Sequence, residues 1–227
     1  MVPVKSDSTA RLFQQHDSSA APLPDADRPA PLPVSAVELV PGNYFAALDL
    51  ATIYPRPAPL EVDLGCGDGA FLVAMAEKYP ERNFLGIERL LGRVRSACGR
   101  ASRQAVRNLR VLRVETSYAV NYLLPPSSTA AAHLLFPDPW PKKRHERRRI
   151  VTKDFLAAVH RLLAPDGSFR IATDQADYFA VMRELVANSA FVEERTTEEE
   201  AFPLSTFGKR FLADGAPIYR LLLRKTV

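Results

Sequence analysis

From residue 60 to residue 173, short apolar runs alternate with stretches of helical period, and this repetition leaves few folds open to the chain. Five runs read as buried strands: Leu60–Leu64, Asn83–Glu88, 109–114, 131–136 and 168–173. Between them, Ala70–Lys78 has helical spacing and is stopped by Pro80, and a basic helix is expected over about 91–106. Thr152 is suited to cap a helix reaching Leu163, closed by Pro165-Asp166-Gly167. A further helix over 176–189 and two strands, 191–196 and 218–224, complete the pattern. Repeated strand–helix alternation predicts an α/β fold in which helices cover both faces of a mostly parallel, seven-stranded sheet. The last strand reads as antiparallel.

The chain is long enough for one domain with a full core and a tail, and its 47% hydrophobic and 25% charged content is that of a water-soluble protein. Residues 1–35 are rich in Pro, Ala, Ser and Asp and lack any sustained period. They bury too little apolar surface to offset their ordering entropy, so a disordered tail is expected there. Residues 36–57 read as an arm lying on the domain, and 58–227 as the domain itself. Three basic and five acidic side chains fall in residues 1–40, a net of −2, so with +4 overall the remainder carries about +6. Cys66 and Cys98 are too few for a disulfide framework and lack zinc-ligand spacing, which predicts free thiols and no metal. No stretch approaches a membrane span, and the N-terminus has no apolar block followed by a cleavage site. The expected location is the cytoplasm.

Open α/β sheets bind ligands beyond the carboxyl ends of their strands. Gly65, Gly67 and Gly69 stand there, directly after the first buried strand, where residues without side chains permit a sharp turn and close approach of a ligand. Glu88 ends the next strand, where an acidic side chain accepts hydrogen bonds from ribose hydroxyls. The loop also satisfies the looser dinucleotide fingerprint through Gly65, Gly67 and Ala70, so an NAD-dependent dehydrogenase is one alternative. Asp63 before the loop suits a cationic amino-acid moiety and, with the third glycine, favours S-adenosylmethionine.

Residues 137–149 carry the second constellation. Asp138 lies between two prolines, Trp140 is the only tryptophan, and six of the eight residues from Lys142 to Arg149 are Lys or Arg. A carboxylate and an aromatic plane beside dense positive charge suggest a base and phosphates as ligands. Trp140 is equally suited to packing against the corner prolines.

Together, Asp63-Leu-Gly-Cys-Gly-Asp-Gly69, Gly86-Ile-Glu88, the run from Phe136 to Ile150, Ala172-Thr-Asp174 and Pro217-Ile-Tyr-Arg220 closely resemble the bacterial tRNA (guanine-N7)-methyltransferase family. The resemblance covers about residues 58–225 and implies a Rossmann-like fold of the class I S-adenosylmethionine-dependent kind. It implies that Asp63, Gly65, Gly67, Gly69, Glu88, Glu115, Thr116 and Asp138 face the cofactor, with Asp138 also catalytic. Lys142, Asp174, Ser205 and Gly208 fall at substrate-binding positions, while Lys143, Arg144, His145, Arg147, Arg148 and Arg149 fall where the tRNA backbone is met. The implied reaction methylates N7 of a variable-loop guanine; the oligomeric state, monomer or homodimer, stays open. Three positions depart from the family pattern. Asp63 replaces Glu and Glu115 replaces Asp, which conserve charge, but Gly208 lacks the carboxylate of the usual Glu. A tRNA-binding relative without activity is therefore a second alternative.

Overall fold

A computed structural model describes residues 30–194 and 204–225. Its first half contains Val34–Val37 (α1), Glu38–Leu39 (β1), Leu50–Ile53 (α2), Leu60–Leu64 (β2), Ala70–Lys78 (α3), Asn83–Glu88 (β3), Leu91–Arg103 (α4) and Leu109–Arg113 (β4). Then come Thr116–Tyr118 (α5), continued by a π-turn over Ala119–Leu123, and Thr129–Leu135 (β5). A 3-10 segment, Lys143–Arg148, leads to Lys153–Leu162 (α6), Leu163–Thr173 (β6), Ala176–Ala187 (α7) and Phe191–Glu194 (β7). Thr206–Ala213 (α8) and Tyr219–Lys225 (β8) finish the described chain. Residues 1–29, most of the expected tail, and 195–203 lie outside the described residues.

The strands form one sheet in the order β1-β4-β3-β2-β5-β6-β8-β7, in which β8 is antiparallel to both neighbours and the other pairs are parallel. Every residue of β2 and β3 is buried, which is why they read as continuous apolar runs rather than alternating ones. The two faces still sort by period two. Phe84 joins the core under α3 and α4, while Leu85 and Ile87 join the core under α6 and α7.

Several features differ from the sequence expectation. The sheet has eight strands, because Glu38–Leu39 adds to the β4 edge; two residues are too few to leave an alternation signal. Just before it, Val37 packs into the core and the Leu32 carbonyl accepts from Ser102 Oγ, so the arm joins the domain ahead of residue 36. Pro165-Asp166-Gly167 is also not a turn outside the sheet. The β5–β6 pairing jumps from Thr129↔Leu163 to Ala131↔Ser168, so these residues bulge within β6, with Asp166 at φ 59°. Thr152 does cap α6, accepting from the Phe155 N–H at 3.1 Å.

Candidate active site

The chain order reverses between β2 and β5, which are neighbours in the sheet although β3 and β4 separate them in sequence. This switch point opens a crevice at the carboxyl ends of the strands. A cavity of about 220 Å³ occupies it, lined by Asp63 and the loop residues Gly65, Cys66, Gly67 and Asp68, with Phe71, Arg93, Leu135, Phe136, Ser205, Thr206 and Phe207. The loop is tied to β3 by the N–H groups of Gly65 and Cys66, both donating to the Ile87 carbonyl at 2.9 Å. Gly65 and Gly67 adopt φ 91° and 58°, and no heavy atom lies within 4 Å of where a Cβ would stand on either. Gly69, at φ 76°, has the opposite reason to be glycine: a Cβ there would lie 2.7 Å from that of Ala97 on α4.

Two carboxylates are buried in β2, and their surroundings differ sharply. Glu61 is satisfied: His133 Nε2 lies 2.8 Å from Oε2, and Arg82 pairs with Oε1. Burial would raise its pKa, but the His133 and Arg82 contacts outweigh that and hold it below the usual carboxylate range. Asp63 is 1% exposed, yet its Oδ1 has no hydrogen-bond partner among the described residues. Burial, with the Glu88 charge as a second cause, pushes its pKa up to about 7. A buried carboxylate oxygen aimed at a cavity with nothing to bind is costly unless a ligand completes it. An ammonium group supplies what is missing, so the residues fit the amino-acid end of S-adenosylmethionine.

The expected cofactor contacts on the neighbouring strands stand at the same rim. Glu88 ends β3, accepts from the Leu90 N–H at 2.8 Å and lies 3.9 Å from Arg93, while Oε2 keeps acceptor capacity. Glu115 is exposed and caps α5 through the Tyr118 N–H at 2.8 Å, with Thr116 as the first residue of that helix. Neither Glu88 nor Glu115 lines the cavity, whose walls are the glycine loop, the start of the Pro-Asp-Pro corner and α8.

That corner follows β5 and is held under strain. Phe136 and Trp140 both have positive φ, 54° and 42°. The Phe136 N–H donates to the Ala172 carbonyl at 2.7 Å, tying the corner to β6. Asp138 is exposed and forms no hydrogen bond or ion pair among the described residues, two positions beyond the cavity-lining Phe136. Asp174 follows the adjacent strand. It does not cap α7, whose N-cap is Gln175; instead its carboxylate accepts from the Gln175 side chain.

The basic run divides into two kinds of residue. Lys142, Lys143, Arg144, Arg147 and Arg148 are exposed, and His145 is half-buried. Arg148 stacks over Trp140 at 4.9 Å and His145 meets that ring edge-on at 5.8 Å, so the tryptophan packs against its own corner. Arg149 is turned inward, its side chain 10% exposed. Its Nε donates to the Pro139 carbonyl at 2.9 Å, its guanidinium lies 4.8 Å from the Tyr178 ring centre, and Glu146 is 3.6 Å away. This arginine is committed to holding the residue next to Asp138.

Sequence reasoning missed α8, whose Gly208 lowers helix propensity, and with it the roof of the cavity. Ser205 caps this helix, accepting from the Gly208 N–H at 3.0 Å, so the two singled-out residues are joined by a capping bond. Gly208 is buried; a Cβ there would come within 3.4 Å of both Phe136 and Ser205 Oγ. Thr206 donates to the Asp68 carboxylate, 3.0 Å to one oxygen, and Arg100 pairs with the same group at 2.9 Å. Arg93 lies over the Phe207 ring at 5.9 Å. The signal for Asp68 was present in the glycine motif, but its partner Thr206 lies 138 positions away.

Comparison with known proteins agrees with this site. A family model described as "Putative methyltransferase" matches residues 57–221. A tRNA (guanine-N(7)-)-methyltransferase of Geobacter metallireducens is 34% identical, over 83% of this chain and 92% of the relative. One from Halorhodospira halophila is 38% identical over 78% of this chain and 79% of the relative. Among solved structures, an S-adenosylmethionine-dependent methyltransferase from Aquifex aeolicus superposes with a TM-score of 0.53 at 12% identity, covering 74% of this chain and 82% of that one. An antibiotic-related methyltransferase gives the same TM-score at 18% identity, covering 74% and 88%. With the sheet order, the glycine cradle and the Pro-Asp-Pro-Trp corner already in place, these matches settle the lineage: the chain belongs to the tRNA (guanine-N7)-methyltransferase family.

Proposed function

We propose that the protein transfers the methyl group of S-adenosyl-L-methionine to N7 of a variable-loop guanine in tRNA. The observation that carries the reading is the unpartnered oxygen of buried Asp63 in a glycine-lined cavity, beside a corner that presents an uncommitted Asp138. When bound, S-adenosylmethionine supplies a methyl group activated by its sulfonium. Asp63 holds the ammonium end, the open faces of Gly65 and Gly67 admit the ligand against the backbone, and Glu88 and Glu115 provide acceptors at the rim.

Guanine N7 carries a free lone pair in the ring plane, so no proton need leave before the methyl group arrives. Catalysis then rests on positioning and on stabilising the positive charge that grows on the base. Asp138 does both, accepting from the guanine N1 and N2 hydrogens while its charge faces the ring. Asp174 and Lys142 make further substrate contacts, and the exposed cations Lys143, Arg144, Arg147 and Arg148 neutralise phosphates. A-form RNA hides N7 in a deep, narrow groove, which favours a guanine held outside a regular helix. A tRNA-modifying role supports a cytoplasmic location for the protein. Among the described residues, no helix is long and apolar enough to cross a membrane.

Labelled S-adenosylmethionine and unmodified tRNA should yield N7-methylguanosine at one variable-loop position on mapping. Binding of tRNA without label would identify the protein as a non-catalytic relative, and tighter binding of NAD than of S-adenosylhomocysteine would identify a dehydrogenase.

The split within the basic run gives a second expected result. Arg149→Met releases the Pro139 carbonyl and lowers kcat by about tenfold or more, with the salt dependence of tRNA binding unchanged. Arg147→Ser does the reverse, weakening tRNA binding and leaving kcat near that of the parent. Steady-state kinetics at two ionic strengths distinguishes them; equal effects of both variants on kcat would remove the pinning role from Arg149.

A further inference from the structure

Between Glu88 and Glu115 the chain has eight arginines and no acidic residue, a charge larger than the net +4 of the whole protein. Two of the eight are engaged inside the fold: Arg100 pairs with Asp68, and Arg110 lies over Tyr54 while donating to backbone carbonyls. Arg93 lines the cavity. The other five, Arg89, Arg95, Arg103, Arg107 and Arg113, are exposed and form no ion pair among the described residues.

Their placement is uneven. Arg113 stands in register with Glu88 at the end of β4, and Arg89 directly follows Glu88, so both lie at the carboxyl rim of the sheet. Arg95 is in the first turn and a half of α4, which begins at that rim. Glu88, the acid in register with Arg113, is 5% exposed, accepts from the Leu90 N–H and lies 3.9 Å from Arg93, so it offers these rim arginines no exposed counter-charge. Between the arginines, α4 exposes Gly92 and Ser96, which leave room for a bulky polyanion to approach. The sheet order puts β3 and β4 on one side of β2, and β5, with the 142–149 run, on the other. The cavity therefore lies between two separate basic surfaces.

We propose that Arg89, Arg95 and Arg113 form a second phosphate-binding surface for the substrate tRNA, across the cavity from residues 142–149. It rests on the reading of tRNA as substrate. Two contacts on opposite sides of the cavity hold the backbone on both sides of the target guanine, which fixes its approach as one contact cannot.

The test is tRNA binding by fluorescence anisotropy between 50 and 200 mM salt, with the full chain. The rim variant Arg89→Ser/Arg95→Ser/Arg113→Ser should lower affinity on the order of tenfold or more and reduce the slope of log K against log salt by about two to three. Its affinity for S-adenosylhomocysteine and its melting temperature should match the parent. Arg103→Ser/Arg107→Ser, at the other end of α4, serves as the charge control and should change affinity by less than about twofold. Equal loss per arginine in both variants would reduce the effect to net charge and overturn the surface. An unchanged slope in the rim variant, or a parent protein that does not bind tRNA, would overturn it as well. Binding of tRNA without methylation would refute the proposed activity and leave this surface standing, provided the rim variant binds more weakly.

Discussion

Replacing Asp138 by alanine should lower kcat for guanine-N7 methylation by about 10²–10³-fold while changing the affinity for S-adenosylhomocysteine less than about twofold. The side chain is exposed, makes no hydrogen bond or ion pair among the described residues, and sits between two prolines and two strained residues that restrict where it points. Its loss therefore removes one charge from the reacting base and little else. Asp138→Asn is the sharper variant. It keeps the shape and one acceptor but loses the charge, so a drop comparable to that of alanine assigns the effect to electrostatics. Activity within threefold of the parent in Asp138→Ala would take this residue out of the mechanism.

Asp63→Asn should weaken cofactor binding and strengthen the ligand-free fold at once. The amide cannot neutralise an ammonium group, and losing one partner of a buried charged pair costs about 2–5 kcal/mol, so the affinity for S-adenosylhomocysteine at pH 8 should fall about 100-fold. Without ligand, however, the buried carboxylate is a burden. Its pKa rises from 3.8 to about 7 on folding, so the folded chain holds that proton more tightly than the unfolded one. The resulting stability is fully present below pH 3.8 and is lost as pH rises through about 7. Asparagine has no such loss. The melting temperature of the variant should therefore gain on the parent between pH 5 and 8, by an amount worth about 1–4 kcal/mol. The cofactor affinity of the parent should decline below about pH 7, where Asp63 takes up a proton, and that of the variant should not. Calorimetric titration and thermal melts over this range check both signs; a variant that binds within threefold of the parent would free the ammonium site from Asp63.

The parts that could be read in advance share one property: their cause is local. Five-residue β2 and six-residue β3 match the expected runs because burial on both faces demands apolar residues throughout. Ala70–Lys78 begins at a glycine and ends before Pro80, and its bounds follow. Thr152 caps α6 through a hydrogen bond spanning three residues. By contrast, β1 has two residues and depends on the β4 edge, and Pro165-Asp166-Gly167 became a bulge because β5 continued to pair on both sides of it. The roof over the cavity depends on Thr206 reaching Asp68, a contact with no local signature.

The basic run makes the same distinction within a single motif. Six cations in eight residues were evident from the chain, but nothing in their order separates Arg149 from Arg147. Only the docking of α7, which brings Tyr178 beneath the guanidinium, turns Arg149 inward to the Pro139 carbonyl. Likewise, Glu61 and Asp63 are two acids on one strand, indistinguishable by spacing. His133 and Arg82 satisfy the first, while Oδ1 of the second, which lines the cavity, has no such partner among the described residues. Residue types and their periods thus decided which chemistry was available and in which fold, since propensity, capping and burial act over a few positions. Which members of each chemical pair carry structure and which meet a ligand was decided by packing between distant strands and helices. Hydrogen-bond satisfaction in a buried site is a property of the whole arrangement.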